Sequence, residues 1–178
     1  MAVQIPPDVP EPSWLTIARK EAGVSEIPGT QHNPRILEYF TATTNQATTD
    51  ETPWCSAFVN WVILKAGMHP TKLANARSWL KWGTGLQIPK RGCIVVLSSD
   101  DRGADAGHVG FFLSTSQGKI RLFGGNQLNK VGEHTYDAKR LLGYRWPTQQ
   151  QLKLSDSILR PLLTILAVAS AIYFVTKA

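Results

Sequence analysis

The apolar positions of this 178-residue chain change period once, near Pro89. Before it they recur at helical spacing; after it they fall in short β-branched runs. Ser13 predicts a capped helix from Trp14 to about Ala22, with Leu15, Ala18 and Ala22 on one face and Gly23 as its stop. Asn33-Pro34 places a cap and then proline at the first helical position, opening a short helix through Phe40. The next helix is the strongest: Thr52 as cap, Pro53 at the first position, and Gly67 at its end. Ala57, Phe58, Trp61, Val62 and Leu64 make it apolar on most sides, so it is expected to be buried. A further helix is expected over Ala74 to Trp82. Beyond Pro89, five strands are predicted: Cys93 to Leu97, His108 to Thr115, Ile120 to Gly124, Val131 to Tyr136 and Leu141 to Trp146. Turn signals separate them, including Ser99-Asp100-Asp101, Gln117-Gly118 and Asp137-Ala138. Helices first and strands afterwards predict an α+β domain built on an antiparallel sheet.

Both ends differ from the middle. Residues 1–12 carry four prolines and read as an extended leader. The domain is expected over residues 13–147, followed by a polar linker over 148–157. From Ile158 to Val175 the chain is apolar apart from Arg160, Thr164 and Ser170. Eighteen helical residues reach about 27 Å, near the thickness of a bilayer's hydrocarbon core. Residues 158–176 are therefore expected to form a single transmembrane helix, with Arg160 and Lys177 reaching toward the headgroups. The alternative is a buried C-terminal helix, which a domain of this size seldom needs.

The net charge of +6 favours anionic surroundings: nucleic acid, acidic lipid or cell wall. The basic residues are scattered, with no run of five, which argues against a nucleic-acid arm. Two cysteines, Cys55 and Cys93, make no disulfide framework and are expected as free thiols with separate fates. Residues 1–14 have neither the basic stretch nor the apolar core of a secretory signal, so delivery by another route is expected.

Cys55 falls in the first turn of the buried helix, where backbone N–H groups and the positive dipole end favour a thiolate. On position alone, a small core residue accounts for it better. His108 alters that balance. It follows Gly107 at the start of an apolar strand, where its ring is expected to stand beside a helix terminus and exchange a proton with a thiol. Asn126, in Gly124-Gly125-Asn126-Gln127 at the end of the next strand, is a candidate to orient the imidazole. Cys93 begins a buried strand and is read as structural. Trp54 is expected either in the core or along a substrate groove. Glu51 beside the thiol would disfavour the thiolate, so a structural role fits it better.

Thr52-Pro-Trp-Cys55-Ser-Ala-Phe-Val-Asn-Trp61, Gly107-His-Val-Gly110 and Leu142-Gly-Tyr-Arg-Trp-Pro147 resemble the CHAP-like amidases of the papain-like superfamily. These are cysteine, histidine-dependent amidohydrolases and peptidases. The resemblance spans about Trp14 to Pro147. It implies a papain-like arrangement of helices on a sheet and hydrolysis of peptidoglycan at the sugar–peptide amide or within the peptide stem. It further implies Cys55 as nucleophile, His108 as base and Asn126, where relatives use Glu, Asp or Asn, as orienting residue.

Two departures stand out. Relatives commonly carry an acid where this chain has Cys93, and some bind calcium through acids upstream of the nucleophile. Here only Asp50 and Glu51 occur there, too few for a calcium cage. None of His32, His69, His108 and His134 shows paired zinc-ligand spacing. No metal or cofactor is expected. The expected partners are peptidoglycan and, through the C-terminal helix, a lipid membrane. The expected setting is a phage lytic enzyme held in a virion membrane or the host inner membrane and acting on the wall layer. The alternatives are a membrane-anchored virion protein with a retired, wall-holding hydrolase domain, and a secreted antibacterial amidase.

Overall fold

The computed structural model describes residues 10–99, 103 and 105–152. The expected transmembrane helix at 158–176 lies outside the described residues, as do most of the leader and the second half of the linker. Among the described residues no helix is long and apolar enough to cross a membrane. The described part is α+β, with three α-helices preceding all six strands of an antiparallel sheet.

Helix α1 spans Ser13–Lys20 and buries Trp14, Leu15 and Ala18. Pro12 rather than Ser13 occupies the cap, with no side-chain cap bond. The helix stops at Lys20, leaving Ala22 exposed, and Gly23 turns the chain at φ 90°. The leader's last residues are pinned to the domain. Glu11 accepts from Arg19 at 2.9 Å and Arg91 at 2.6 Å, and Trp14 Nε1 donates to the Gly92 carbonyl at 2.7 Å. Helix α2, Pro34–Phe40, starts as expected, with the Asn33 side chain accepting from the Arg35 N–H. Glu21, at the end of α1, accepts from Nε and Nη2 of Arg35 and from the Tyr39 hydroxyl, which ties the two helices together.

Helix α3, Cys55–Lys65, is buried at nine consecutive positions, Cys55 to Ile63. It packs between the other helices and the sheet. Its two buried polar residues are committed. The Ser56 hydroxyl donates to the Leu73 carbonyl at 2.7 Å, and Asn60 Oδ1 accepts from the Lys72 N–H at 2.6 Å and the Thr71 hydroxyl at 3.1 Å. These bonds strap residues 71–75 along the helix. The segment expected as an α-helix over 74–82 is a tighter 3-10 helix, Ala76–Lys81, capped by the Asn75 side chain.

Six strands form one antiparallel sheet in the order β1-β6-β2-β3-β4-β5. They are β1 (Thr84–Leu86), β2 (Ile94–Ser98), β3 (Gly107–Ser116), β4 (Lys119–Gly124), β5 (Gly132–Asp137) and β6 (Leu141–Trp146). The unexpected one is β1, three residues with no apolar alternation, paired only with β6. Alternation along the strands gives the sheet two faces. Ile94, Val96, Val109, Phe111 and Leu113 join the helices' core. Cys93, Val95, Leu97, Phe112, Ile120 and Leu122 form a second core on the other face, covered by Tyr136, Leu141 and Tyr144. Residues 149–152, expected as linker, are helical and begin at a reciprocal Thr148–Gln151 cap.

The Thr-rich loop before α3 is held by Asp50, whose side chain is fully buried. One carboxylate oxygen accepts from the Ile27 and Asn33 N–H groups at 2.9 Å, the other from His32 Nδ1 at 3.0 Å. Burial opposes ionisation, but the bonds from Asn33, Ile27 and His32 outweigh it and hold the carboxyl below its ordinary 3.8. A carboxyl shifted downward stabilises the fold above its unfolded value and loses that contribution as pH falls through its folded one. Asp50→Asn is therefore expected to lower stability at pH 7 by about 1.5–3 kcal/mol in urea denaturation. The gap between parent and variant should narrow below about pH 4; a gap independent of pH would contradict this. At Gly125 an added Cβ would lie 2.5 Å from Trp54 Cζ3 and 2.6 Å from Phe58 Cβ. Gly125→Ala should cost about 1–3 kcal/mol through overpacking, read as a lower urea midpoint.

Candidate active site

Helix α3 begins at Cys55, two residues later than the Thr52–Pro53 signal predicts. The Trp54 side chain explains the delay. It is fully buried, donates Nε1 to Glu26 at 2.8 Å, and packs against Tyr39 at 5.9 Å between ring centroids. That anchorage holds residue 54 outside helical geometry, at φ −114° and ψ 10°. Thr52, exposed, bonds only to the Thr49 hydroxyl at 3.1 Å. Trp54 is thus a core residue rather than part of a groove. Cys55 moves to the first helical position, still within the turn where N–H groups lack helical partners and the dipole is positive.

Cys55 is 5% exposed and opens onto a cleft of about 280 Å³. Pro53 and Cys55 form one wall, residues 74–76 the second, and residues 105–107 the third. The third wall is the approach to β3. Gly107, immediately before His108, has no room for a side chain, since a Cβ would meet the Leu97 carbonyl at 2.7 Å and the Ala76 methyl at 3.6 Å. The cleft therefore joins the helix bearing Cys55 to the strand bearing His108.

His108 is 5% exposed and pairs across the ladder with Leu97. Its side chain leaves β3 on the face opposite Val109, and its ring packs on Tyr136 at 5.1 Å between centroids. Tyr136 is itself flanked by His134 at 4.9 Å and by the Arg140 guanidinium at 5.1 Å. Strand β4 ends at Gly124, which an added Cβ would place 3.3 Å from the Gly110 Cα. Residues 107–109 of β3 thus run on beyond the ladder with β4, flanked on that side by the turn at 125–126.

Asn126 sits in that turn, half-buried, at φ 52°. Asparagine tolerates this left-handed conformation better than most residues. The β4 strand ends at Gly124, two residues before Asn126. Among the described residues the Asn126 side chain makes no hydrogen bond. The deeply buried amide is its neighbour Gln127, 2% exposed, whose Nε2 donates to the carbonyls of Leu122 and Gly132.

Cys93 is a free thiol with no exposure. Burial pushes it up to about 12, against the weaker opposing effect of a hydrogen bond with the Lys90 backbone. Neither Cys93 nor Cys55 is held in a disulfide. Among the described residues no three His, Cys, Asp or Glu side chains gather as a metal site. Asp50 is committed to the loop, and Asp105 is an exposed residue of the cleft wall. Sequence reasoning did not single out Asn75, Ala76 or Asp105 as walls. The Asn75 cap was the available signal, but only the bonds from Ser56 and Asn60 bring that segment beside Cys55.

A profile of the CHAP domain matches residues 47–126, from the loop before α3 to Asn126. The match is narrower than the span of residues 14–147 that the motifs suggest, and β5 and β6 lie outside it. No curated protein matches the chain at a significant level. CHAP domains are generally cysteine/histidine-dependent amidohydrolases, and at the level of the family they indicate peptidoglycan hydrolysis. The matched span contains the buried helix that begins at Cys55, the strand end at His108 and most of the cleft between them: residues 47–126 match the CHAP domain, which is consistent with a CHAP-like amidase of the papain-like cysteine-histidine peptidase type.

Proposed function

We propose that the protein cleaves an amide bond of peptidoglycan with Cys55 as nucleophile, His108 as general base and then acid, and Asn126 as the residue that orients His108. The observation carrying this reading is the cleft at the start of α3, walled by Cys55 and by the Gly107 that leads into His108. His108 takes the thiol proton, and the sulfur attacks the amide carbonyl carbon. N–H groups of the first turn of α3 receive the developing oxyanion. The C–N bond breaks as His108 protonates the leaving amine, leaving a thioester on Cys55. Water then attacks the thioester, His108 removes its proton, and the acid product departs as the proton returns to sulfur. Asn126 closes on His108 when substrate fills the cleft, since hydrogen bonds of this kind tighten in the bound complex.

The apolar segment at 158–176 supports a membrane-anchored enzyme. We place it in phage lysis, acting on the wall from a virion membrane or the host inner membrane. A wall-holding virion protein and an antibacterial effector share the fold but predict different outcomes below.

In a zymogram on purified sacculi the parent should clear the wall. Cys55→Ala and His108→Ala should each lose at least about 1,000-fold of that activity, and Asn126→Ala less. Cys93→Ala should clear like the parent. Equal clearing by Cys55→Ala and parent would overturn the mechanism. Wall binding by the parent without clearing would favour the holding role, and protection by the product of an adjacent gene the effector.

A further inference from the structure

A second cleft, of about 630 Å³, adjoins the Cys55 cleft and shares Asn75 with it. Its walls include Leu73, Arg77, Ser78 and Lys81, with Trp82 beneath. Among the described residues it carries two cations and no acid. Arg77 is held in place: its N–H donates to Asn75 Oδ1 at 2.7 Å, and its Nε donates to the Ala106 carbonyl at 3.1 Å. Its stem runs over Gly107, 3.4 Å from where a Cβ there would stand. The guanidinium is therefore fixed above the approach to His108, with its two terminal nitrogens turned to no described partner.

This sets Arg77 apart from three other half-buried arginines. Arg19, Arg35 and Arg91 are each bonded to a glutamate at 2.6–2.9 Å. Neither Arg77 nor Lys81 has an ion-pair partner among the described residues. A planar guanidinium held by Nε leaves its terminal fork arranged for a bidentate carboxylate. Lys81 follows four residues along the same 3-10 helix, roughly 8 Å away at about 2 Å of rise per residue. That distance is near two to three residues of an extended peptide.

We propose that the Arg77–Lys81 cleft is the specificity subsite for free carboxylates on an acidic peptide whose amide lies at Cys55. Arg77 takes the carboxylate nearer the scissile bond and Lys81 a second one further along. The subsite rests on the reading of Cys55 as a wall amide hydrolase, with the peptide stem as the acidic peptide. An amidated stem should be a poorer ligand than the free acid.

The test uses the full chain carrying Cys55→Ala, so that binding is measured without turnover. The probes are a soluble stem peptide with free carboxylates and the same peptide amidated, compared by calorimetry. The acid form should bind at least about tenfold more tightly, as expected for a charge-assisted bidentate pair. Adding Arg77→Gln should abolish that preference while thermal melting shows the fold intact. Lys81→Met, on an exposed side chain, should reduce it in part and covers the case in which Arg77→Gln does not fold. Equal affinity for acid and amidated peptides, or an unchanged preference in both variants, would overturn the subsite. If carboxylate-dependent binding through Arg77 is present but the parent clears no sacculi, the hydrolase reading fails and the subsite stands. If the parent clears sacculi and both variants keep its preference, the subsite alone fails.

Discussion

The first turn of α3 and the turn that follows β4 meet with no space for a methyl group. Trp54 and Phe58 lie against the bare Cα of Gly125. Trp54 is also bonded to Glu26, and Phe58 packs edge-on against Tyr39 at 5.2 Å. The helix therefore cannot slide or rotate along the sheet without a clash on one side or a lost contact on the other. Its N-terminus is set at the end of β3, and Cys55 with it. Interiors packed this tightly transmit position rather than absorb it, so a glycine with no side chain of its own fixes where Cys55 stands.

The second element of the site depends on the same helix. Ser56 and Asn60, one turn apart, are buried polar residues that would be costly without partners. They take up the backbone of residues 72–73, and Trp79 adds a bond from its Nε1 to the Ser56 hydroxyl at 3.0 Å. One helix thus holds the thiol at its end and the cleft wall along its side. Arg77 stands on that wall, bonded across the cleft to Ala106. The acidic loop before α3 is fixed by Asp50 from the other direction. Its carboxylate takes three donors, from Ile27, Asn33 and His32.

Much of this was legible in the sequence because local and global preferences agree. Asn33-Pro34 starts a helix as its chemistry requires, and the all-round apolar pattern of residues 57–63 describes a helix with no exposed face there. The strands after Pro89 were read within one or two residues. Legibility failed where tertiary contacts override a local signal. Thr52-Pro53 reads as a helix start, but the buried Trp54 delays it. Residues 76–81 have helical spacing, but the straps from α3 draw them into a tighter coil. Strand β1 has no apolar pattern, because its pairing with β6 creates it. At the site, Cys55, His108 and Asn126 were visible as residue types at suggestive positions. The aromatic bed of Tyr136 beneath His108, and the cleft wall at 74–76, arise from register and long-range bonds that no local window contains.

The account turns on whether His108 activates Cys55 across the end of β3. The most direct measurement is the rate at which iodoacetamide alkylates Cys55 at pH 7 in the folded parent and in folded His108→Ala. Cys93 serves as an internal unreactive control. The parent should react at least about tenfold faster, since the thiolate is the reactive form and the imidazole sustains it. Equal rates in two folded proteins would contradict the account.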